Sequence, residues 1–290
     1  MIAVMGAAGN VGGKVADLLL RESQDVRVME HRRTLEAFGK RGAQVVRGDA
    51  ANVEDLRALF EGAVAALVLL PEDVADPQFV ATRSRISRAV VQALRDSRVA
   101  HVVALSTVGA GRADAAGPPA GLHEFEHDLA KLEGVNVLVL RSAAYMDYLL
   151  ASLPMIRSQK INGSAVDGDL RYPMIATQDV AREAAERLLR RDFAGHQIKP
   201  LLGPDDVSMR EATAAIGAIL GLPELPYVQF PPADMKAGLV AAGMSDEAAS
   251  LLVDMQLALN SGHYFDGVGR TPESATPTRL EEFLKAALDR

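Results

Sequence analysis

Apolar and polar positions in the first half of the chain alternate between two patterns. Ile2–Met5, Val26–Met29, Ala43–Val46, Ala65–Leu70, His101–Leu105 and Val135–Leu140 are short runs, apolar nearly throughout. Between them, Val11–Arg21, Arg33–Phe38, Val53–Phe60, Phe79–Asp96 and His123–Leu132 carry helical spacing. Buried strands separated by helices predict a parallel sheet covered on both faces. Crossovers of this kind are right-handed, so the fold class expected is α/β, a doubly wound parallel sheet of the Rossmann kind.

Beyond Leu140 the pattern turns mostly helical. Helices are expected at Tyr145–Arg157, broken at Pro154, and at Thr177–Arg190, with Thr177 as N-cap. Further helices follow at Ser208–Leu220, Ala233–Ala242, Asp246–Asn260 and Thr278–Leu288. Ile198–Leu202 and Tyr227–Phe230 read as strands, and Asn162–Pro173 as turn-rich chain. Residues 1–142 are thus expected to bind a nucleotide, and 143–290 to form a smaller helical substrate lobe interwoven with the first part. The loop Gly109–Gly121, rich in Gly, Ala and Pro, is expected to border the substrate.

Composition narrows the classes. With 49% hydrophobic and 24% charged residues, the 290-residue chain is an ordinary globular one. A net charge of −7 argues against nucleic-acid binding. The absence of cysteine removes disulfides and thiolate metal sites. No apolar run reaches membrane length, and no signal peptide is visible, so a cytoplasmic protein is expected.

The candidate chemistry begins at Gly6-Ala7-Ala8-Gly9-Asn10-Val11-Gly12, set between the first strand and the first helix. Glycines there permit a tight turn and a helix N-terminus facing a pyrophosphate, so a nicotinamide dinucleotide is the expected ligand. At the end of the second strand, Glu30 sits where an NAD site places its carboxylate. The basic run His31-Arg32-Arg33 follows at once and suits the 2′-phosphate of NADP. NADP is the cofactor favoured, with NAD left open.

GAAGNVG, VRVMEHRR, GAQVVRGDAANVEDLRALFEG, LVLLP, HVVALSTVGA and EHDLAKLEGVNVLVLRSAAYMDYLL occur in one order. In that succession the chain resembles the NmrA-like branch of the atypical short-chain dehydrogenases/reductases. The resemblance implies that Gly6, Ala8, Gly9, Asn10, Val11 and Gly12 wrap the pyrophosphate, with His31 and Arg32 at the adenosine ribose. It implies Asp49 and Ala50 near the adenine, Leu69, Leu70 and Pro71 beside the inner ribose, and Ser106 and Thr107 near the nicotinamide.

The Tyr-x-x-x-Lys pair of the wider superfamily is missing, since none of Tyr145, Tyr148, Tyr172, Tyr227 and Tyr264 has Lys four residues later. The chain therefore resembles the quinone-reductase-like members, whose acceptors need orientation more than a strong acid. The catalytic candidates are His123, as proton donor, and Tyr145, as orienting group. Met146, Leu149, Met155, Tyr172 and Tyr264 are the expected pocket walls. His123 and His127 stand four apart without a third ligand, so no metal is expected. The expected activity is hydride transfer from NAD(P)H to a small apolar quinone or carbonyl. The alternative is a catalytically silent cofactor sensor acting through a protein partner. A homo-oligomer is compatible with either.

Overall fold

The strand-length apolar runs become strands because each supplies side chains to both faces of a covered sheet. A computed structural model describes residues 1–112, 117, 119–262, 264, 265 and 267–288. The first half runs β1 (Ile2–Val4), α1 (Asn10–Arg21), β2 (Val26–Glu30), α2 (Glu36–Gly39), β3 (Gln44–Arg47) and α3 (Val53–Phe60). It continues through β4 (Ala65–Val68), α4 (Phe79–Asp96), β5 (His101–Thr107), α5 (Pro119–Leu129) and β6 (Asn136–Ser142). The second half opens with β7 (Ala144–Tyr145), α6 (Leu153–Gln159), β8 (Asn162–Ser164), β9 (Arg171–Ile175), α7 (Thr177–Arg190) and β10 (His196–Leu201). Then come β11 (Asp206–Ser208), α8 (Met209–Leu220), β12 (Tyr227–Gln229), α9 (Pro232–Ala241), α10 (Asp246–Asn260) and α11 (Leu280–Leu288).

Seven strands form one sheet in the order β10-β6-β5-β4-β1-β2-β3. Every pairing in it is parallel, with Val4 opposite Val28 on one side and Leu67 on the other. The chain starts at β1, builds outward to β3, then returns to the other side through β4. The carboxyl ends of β1 and β4 therefore mark the point where connections diverge, which is where such sheets open a crevice for ligands. α1 and α7 cover one face through Val11, Val15, Leu19, Val180, Ala184 and Leu188. α3, α4 and α5 cover the other through Leu56, Phe60, Val90, Leu94, Phe125 and Leu129. A third cluster, including Met146, Met174, Ile216 and Leu284, is the core of the lobe.

The doubly wound sheet and the mostly helical second half agree with the expectation. Local differences have physical causes. Pro154 does not break a helix; it stands in the first turn of α6, where no backbone N–H is needed, after a 3₁₀ stretch at Met146–Ser152. Residues 162–173 hold strands β8 and most of β9, whose partners lie far along the chain in β12 and β11. Thr177 is the first residue of α7, not its N-cap. The free amide there is met from outside: Asp147 Oδ2 accepts from Thr177 N at 3.1 Å, and Oδ1 from Thr177 Oγ1 at 2.7 Å.

α7 and β10 lie beyond residue 142 yet belong to the large sheet layer, so the lobe is built from chain on either side of them. The α9–α10 pair is anchored near the crevice. Ser245 N donates to Val74 O at 2.8 Å, and Val80 N to Glu247 Oε2 at 3.1 Å. Among the described residues, no helix is long and apolar enough to cross a membrane.

Candidate functional site

The glycine loop is shaped by backbone contacts that exclude side chains. Gly6 has φ +68°, a conformation few other residues tolerate, and Gly9 N donates to Gly6 O at 2.8 Å. A Cβ on Gly12 would stand 2.4 Å from Gly6 O, and one on Gly13 2.9 Å from Ala7 O. The first turn of α1 can thus lie directly against the loop. Leu69 closes the loop from the β4 side, its Cδ2 2.8 Å from where a Gly6 Cβ would be. Ala8, Gly9 and Asn10 are exposed, α1 has no capping side chain, and its first turn carries no acidic residue. Free N–H groups on an open helix N-terminus, beside glycine that leaves room, fit a pyrophosphate.

The next site lies at the ends of β2 and β3. His31, Arg32, Arg47, Gly48, Asp49 and Asp55 line a cavity of about 660 Å³. Glu30 does not face it as a free ribose ligand, because its Oε2 accepts from Leu35 N at 3.0 Å and braces the turn. His31 Nδ1 is 3.1 Å from Gly48 O, so that nitrogen carries the proton. Both acids are tied to backbone: Asp55 Oδ2 accepts from Asp49 N at 2.8 Å, and Asp49 Oδ1 from Ala51 N at 2.9 Å. Arg32 pairs with Asp73, and Arg47 makes no ion pair or side-chain hydrogen bond among the described residues. Sequence reading placed His31, Arg32 and Asp49 here and missed Arg47. The only sequence signal for Arg47 was a basic residue closing the third strand.

Leu69 reaches the loop, whereas Leu70 is buried in the core beneath α3 and α4, and Ala50 packs against the same core. Pro71 begins the loop that carries Glu72 and Asp73. At the far side of the crevice, β5 and β6 end in register, Ser106 beside Arg141 and Thr107 beside Ser142. Ser106 donates to the carboxylate of Glu126, which is only 5% exposed. Arg141 holds that carboxylate with Nε at 3.1 Å and Nη2 at 2.6 Å, a charge-assisted pair that fixes Ser106. Glu126 and Arg141 were not singled out in the sequence; their pairing joins α5 to β6 and appears only once both pack together.

Ser142 Oγ lies 3.0 Å from Ser106 O and 3.1 Å from the Tyr145 hydroxyl. Burial pushes the Tyr145 phenol up, against the opposing effect of Ser142. Thr107 Oγ1 donates to Ser142 O at 3.2 Å. Tyr264 stands against Thr107, its pKa pushed up to about 12 by burial, and a Cβ on Gly109 would meet its hydroxyl at 2.4 Å. Lys14, on α1, donates to Thr177 at 2.7 Å and lies 3.6 Å from Asp147, tying the cofactor helix to the lobe.

Other expected residues fall elsewhere. His123 Nδ1 is bonded to Ala110 O at 2.9 Å, and no described contact joins it to Tyr145 or Ser106. Met146, Leu149 and Tyr172 are not open pocket walls. All three are buried in the lobe core, with Tyr172 donating to Met209 Sδ and stacked on Phe265. The 3₁₀ winding after Tyr145 turns that face inward. Residues 113–116 and 118 of the expected border loop lie outside the described residues.

A glycine-cradled helix N-terminus at the switch point of a parallel sheet has its counterpart in sequence comparison. The profile of the NAD(P)H-binding family matches residues 6–191. The chain belongs to that family. The match spans the glycine loop, the cavity at the ends of β2 and β3, and the β5–β6 ends described above. Quinone oxidoreductase 2 of Escherichia coli (strain K12) is 25% identical over 275 residues, covering 92% of this chain and 90% of the relative. The solved Escherichia coli NADPH-dependent quinone oxidoreductase in complex with NADPH superposes with TM-score 0.80 at 22% identity, over 99% of both chains. Triphenylmethane reductase of Citrobacter sp. with NADP(H) gives 0.80 at 20% identity, over 99% and 100%. NmrA, a negative transcriptional regulator solved with NADP, gives 0.66 at 18% identity, over 99% and 90%. The structural likenesses show a shared fold.

Proposed function

We propose that this protein is an NADPH-preferring oxidoreductase that reduces a small, largely apolar quinone or carbonyl compound. The observation carrying this reading is what the carboxyl edge of one sheet gathers: an uncapped α1 N-terminus, a cavity with Arg32 and Arg47 in its lining, and the linked hydroxyl groups of Ser142 and Tyr145 beside Ser106. Bound NADPH supplies the hydride. The α1 N-terminus would hold the pyrophosphate, and Arg32 the 2′-phosphate. Leu69 and the β5–β6 ends exclude water from the reacting side, where hydrogen bonds gain strength. The relatives named as reductases and as a quinone oxidoreductase favour turnover over a purely sensing role. A reducing cytoplasm suits the cysteine-free chain.

Tyr145 and Ser142 are the groups proposed to handle the proton. A quinone takes the hydride, hydrogen and electron pair together, and then one proton from the Tyr145–Ser142 hydroxyls, giving the hydroquinone; a proton from solvent restores the hydroxyl. The reading is tested by following NADPH oxidation with a panel of quinones and aromatic carbonyls. Accelerated oxidation with at least one apolar quinone is expected. A panel on which none exceeds the rate without protein would overturn it.

A further inference from the structure

We propose that Arg47 is a second reader of the 2′-phosphate, and that Asp73 occupies Arg32 in the phosphate's place until NADP(H) arrives. The inference rests on the NADPH reading above and assigns two residues that neither the glycine loop nor the basic run His31–Arg33 includes.

Arg47 closes β3, beside Glu30 in the strand register. The two form no ion pair, and the Glu30 carboxylate accepts from Leu35 N instead. Arg47 lines the same cavity as His31 and Arg32, and the two acids that share the cavity are each bound to a backbone N–H. The cavity therefore presents an unpaired guanidinium and a second one whose counter-ion comes from another element. An isolated exposed Arg is ordinary. One that shares a cavity with a second guanidinium and an imidazole, with no partner of its own, is suited to a dianion.

Asp73 comes from the loop after β4 and uses only one carboxylate oxygen on Arg32. Its other oxygen accepts from Ala75 N at 3.2 Å, so the loop keeps its turn when Arg32 leaves. The pair is solvent-accessible, with side chains 74% and 41% exposed. Such pairs change an equilibrium by no more than about fivefold. A phosphate dianion gripped by a fork of N–H donors contributes on the order of ten- to a hundredfold. The phosphate therefore displaces Asp73. NADH, which has no 2′-phosphate, leaves Arg32 on Asp73 and Arg47 facing water. Asp73 thus keeps Arg32 paired until the phosphate arrives, and takes back a small part of the NADPH preference while leaving NADH unaffected.

Calorimetric titration with NADPH, NADH, 2′,5′-ADP and 5′-ADP tests this. The unaltered protein should favour NADPH, and Arg32→Ala should collapse that preference. Arg47→Ala should weaken NADPH and 2′,5′-ADP about tenfold and leave NADH and 5′-ADP within about twofold. Asp73→Asn should tighten NADPH and 2′,5′-ADP by about two- to fivefold, and in an Arg32→Ala background should do nothing. If Arg32→Ala collapses the preference while Arg47→Ala and Asp73→Asn leave the NADPH/NADH ratio unchanged, the proposal falls and the NADPH reading stands. A protein that binds both cofactors equally overturns both.

Discussion

A hydroxyl has one proton to give, and Ser142 lies between a carbonyl and a phenol. When it donates to Ser106 O, the Tyr145 hydroxyl must donate to Ser142 and has nothing left for an acceptor. When Ser142 rotates to donate to Tyr145, the phenol proton is free to bind the substrate oxygen. Burial keeps Tyr145 protonated through neutral pH, so it serves as donor and not as base. Tyr145→Phe should lower kcat for carbonyl acceptors by about tenfold or more, and for quinones by less, with the NADPH dissociation constant unchanged. Steady-state kinetics beside a cofactor titration would check this; equal kcat for both acceptor classes would remove Tyr145 from the chemistry. At this scale the sequence was legible where geometry is local. Gly6 and Gly12 could be read because their roles follow from a turn and a helix start within a few residues. Arg47, Asp73, Glu126 and Arg141 could not, since each acquires its meaning from a partner on another element. Tyr172 was misjudged as a pocket wall for the related reason that an aromatic residue looks the same in a core as in a cleft.

Elements are joined here by a few half-buried charges. Glu183 on α7 accepts from Lys199 on β10 at 2.6 Å and from Arg187 at 2.8 Å. Burial works against its ionised form, but the hydrogen bonds and charges of Lys199 and Arg187 prevail and hold the carboxyl below its ordinary value of 4.5. A depressed carboxylate pKa contributes stability that is present above the unfolded-state value and is lost as pH falls through the folded-state value. Glu183→Gln should therefore lower Tm at pH 7 and have little effect at pH 3, the difference narrowing as pH drops below about 4.5. Thermal melts across that range would show it; a Tm difference independent of pH would place the effect in packing alone. Helices and strands were legible at this scale because amphipathic spacing and buried runs are written locally. The exceptions, β8 and β9, pair with β12 and β11 across long stretches of chain, and no local pattern announces that. The cap of α7 was misassigned to Thr177 because the group that satisfies it, Asp147, lies thirty residues away.

Over the whole molecule, the chain leaves the large sheet after β6 and comes back to it. β10 pairs with β6 from His196 to Leu201, and α7 lies against α1, covering Val11 and Val15 with Val180 and Ala184. Residues 1–142 produced alone should fail to give a cooperative thermal transition, because that fragment exposes the apolar face under α7 and the edge of β6. Ending the fragment after Leu201 restores both. Circular dichroism melts of the two lengths distinguish them, and a sharp transition from the shorter piece would show that α7 and β10 are dispensable.

That return to the sheet has an evolutionary consequence. The segments that build the lobe, before α7 and after β10, enter and leave the cofactor-binding framework at separate points, like two inserts threaded through one frame. The two inserts pair with each other through β8–β12 and β9–β11 and share one core, so they change together, and new acceptors can be explored while the glycine loop and the source of reducing power stay constant. A chimera made by exchanging everything after residue 142 would cut across that arrangement, importing a foreign α7 against the native α1. Two exchanges that spare residues 177–201 would respect it.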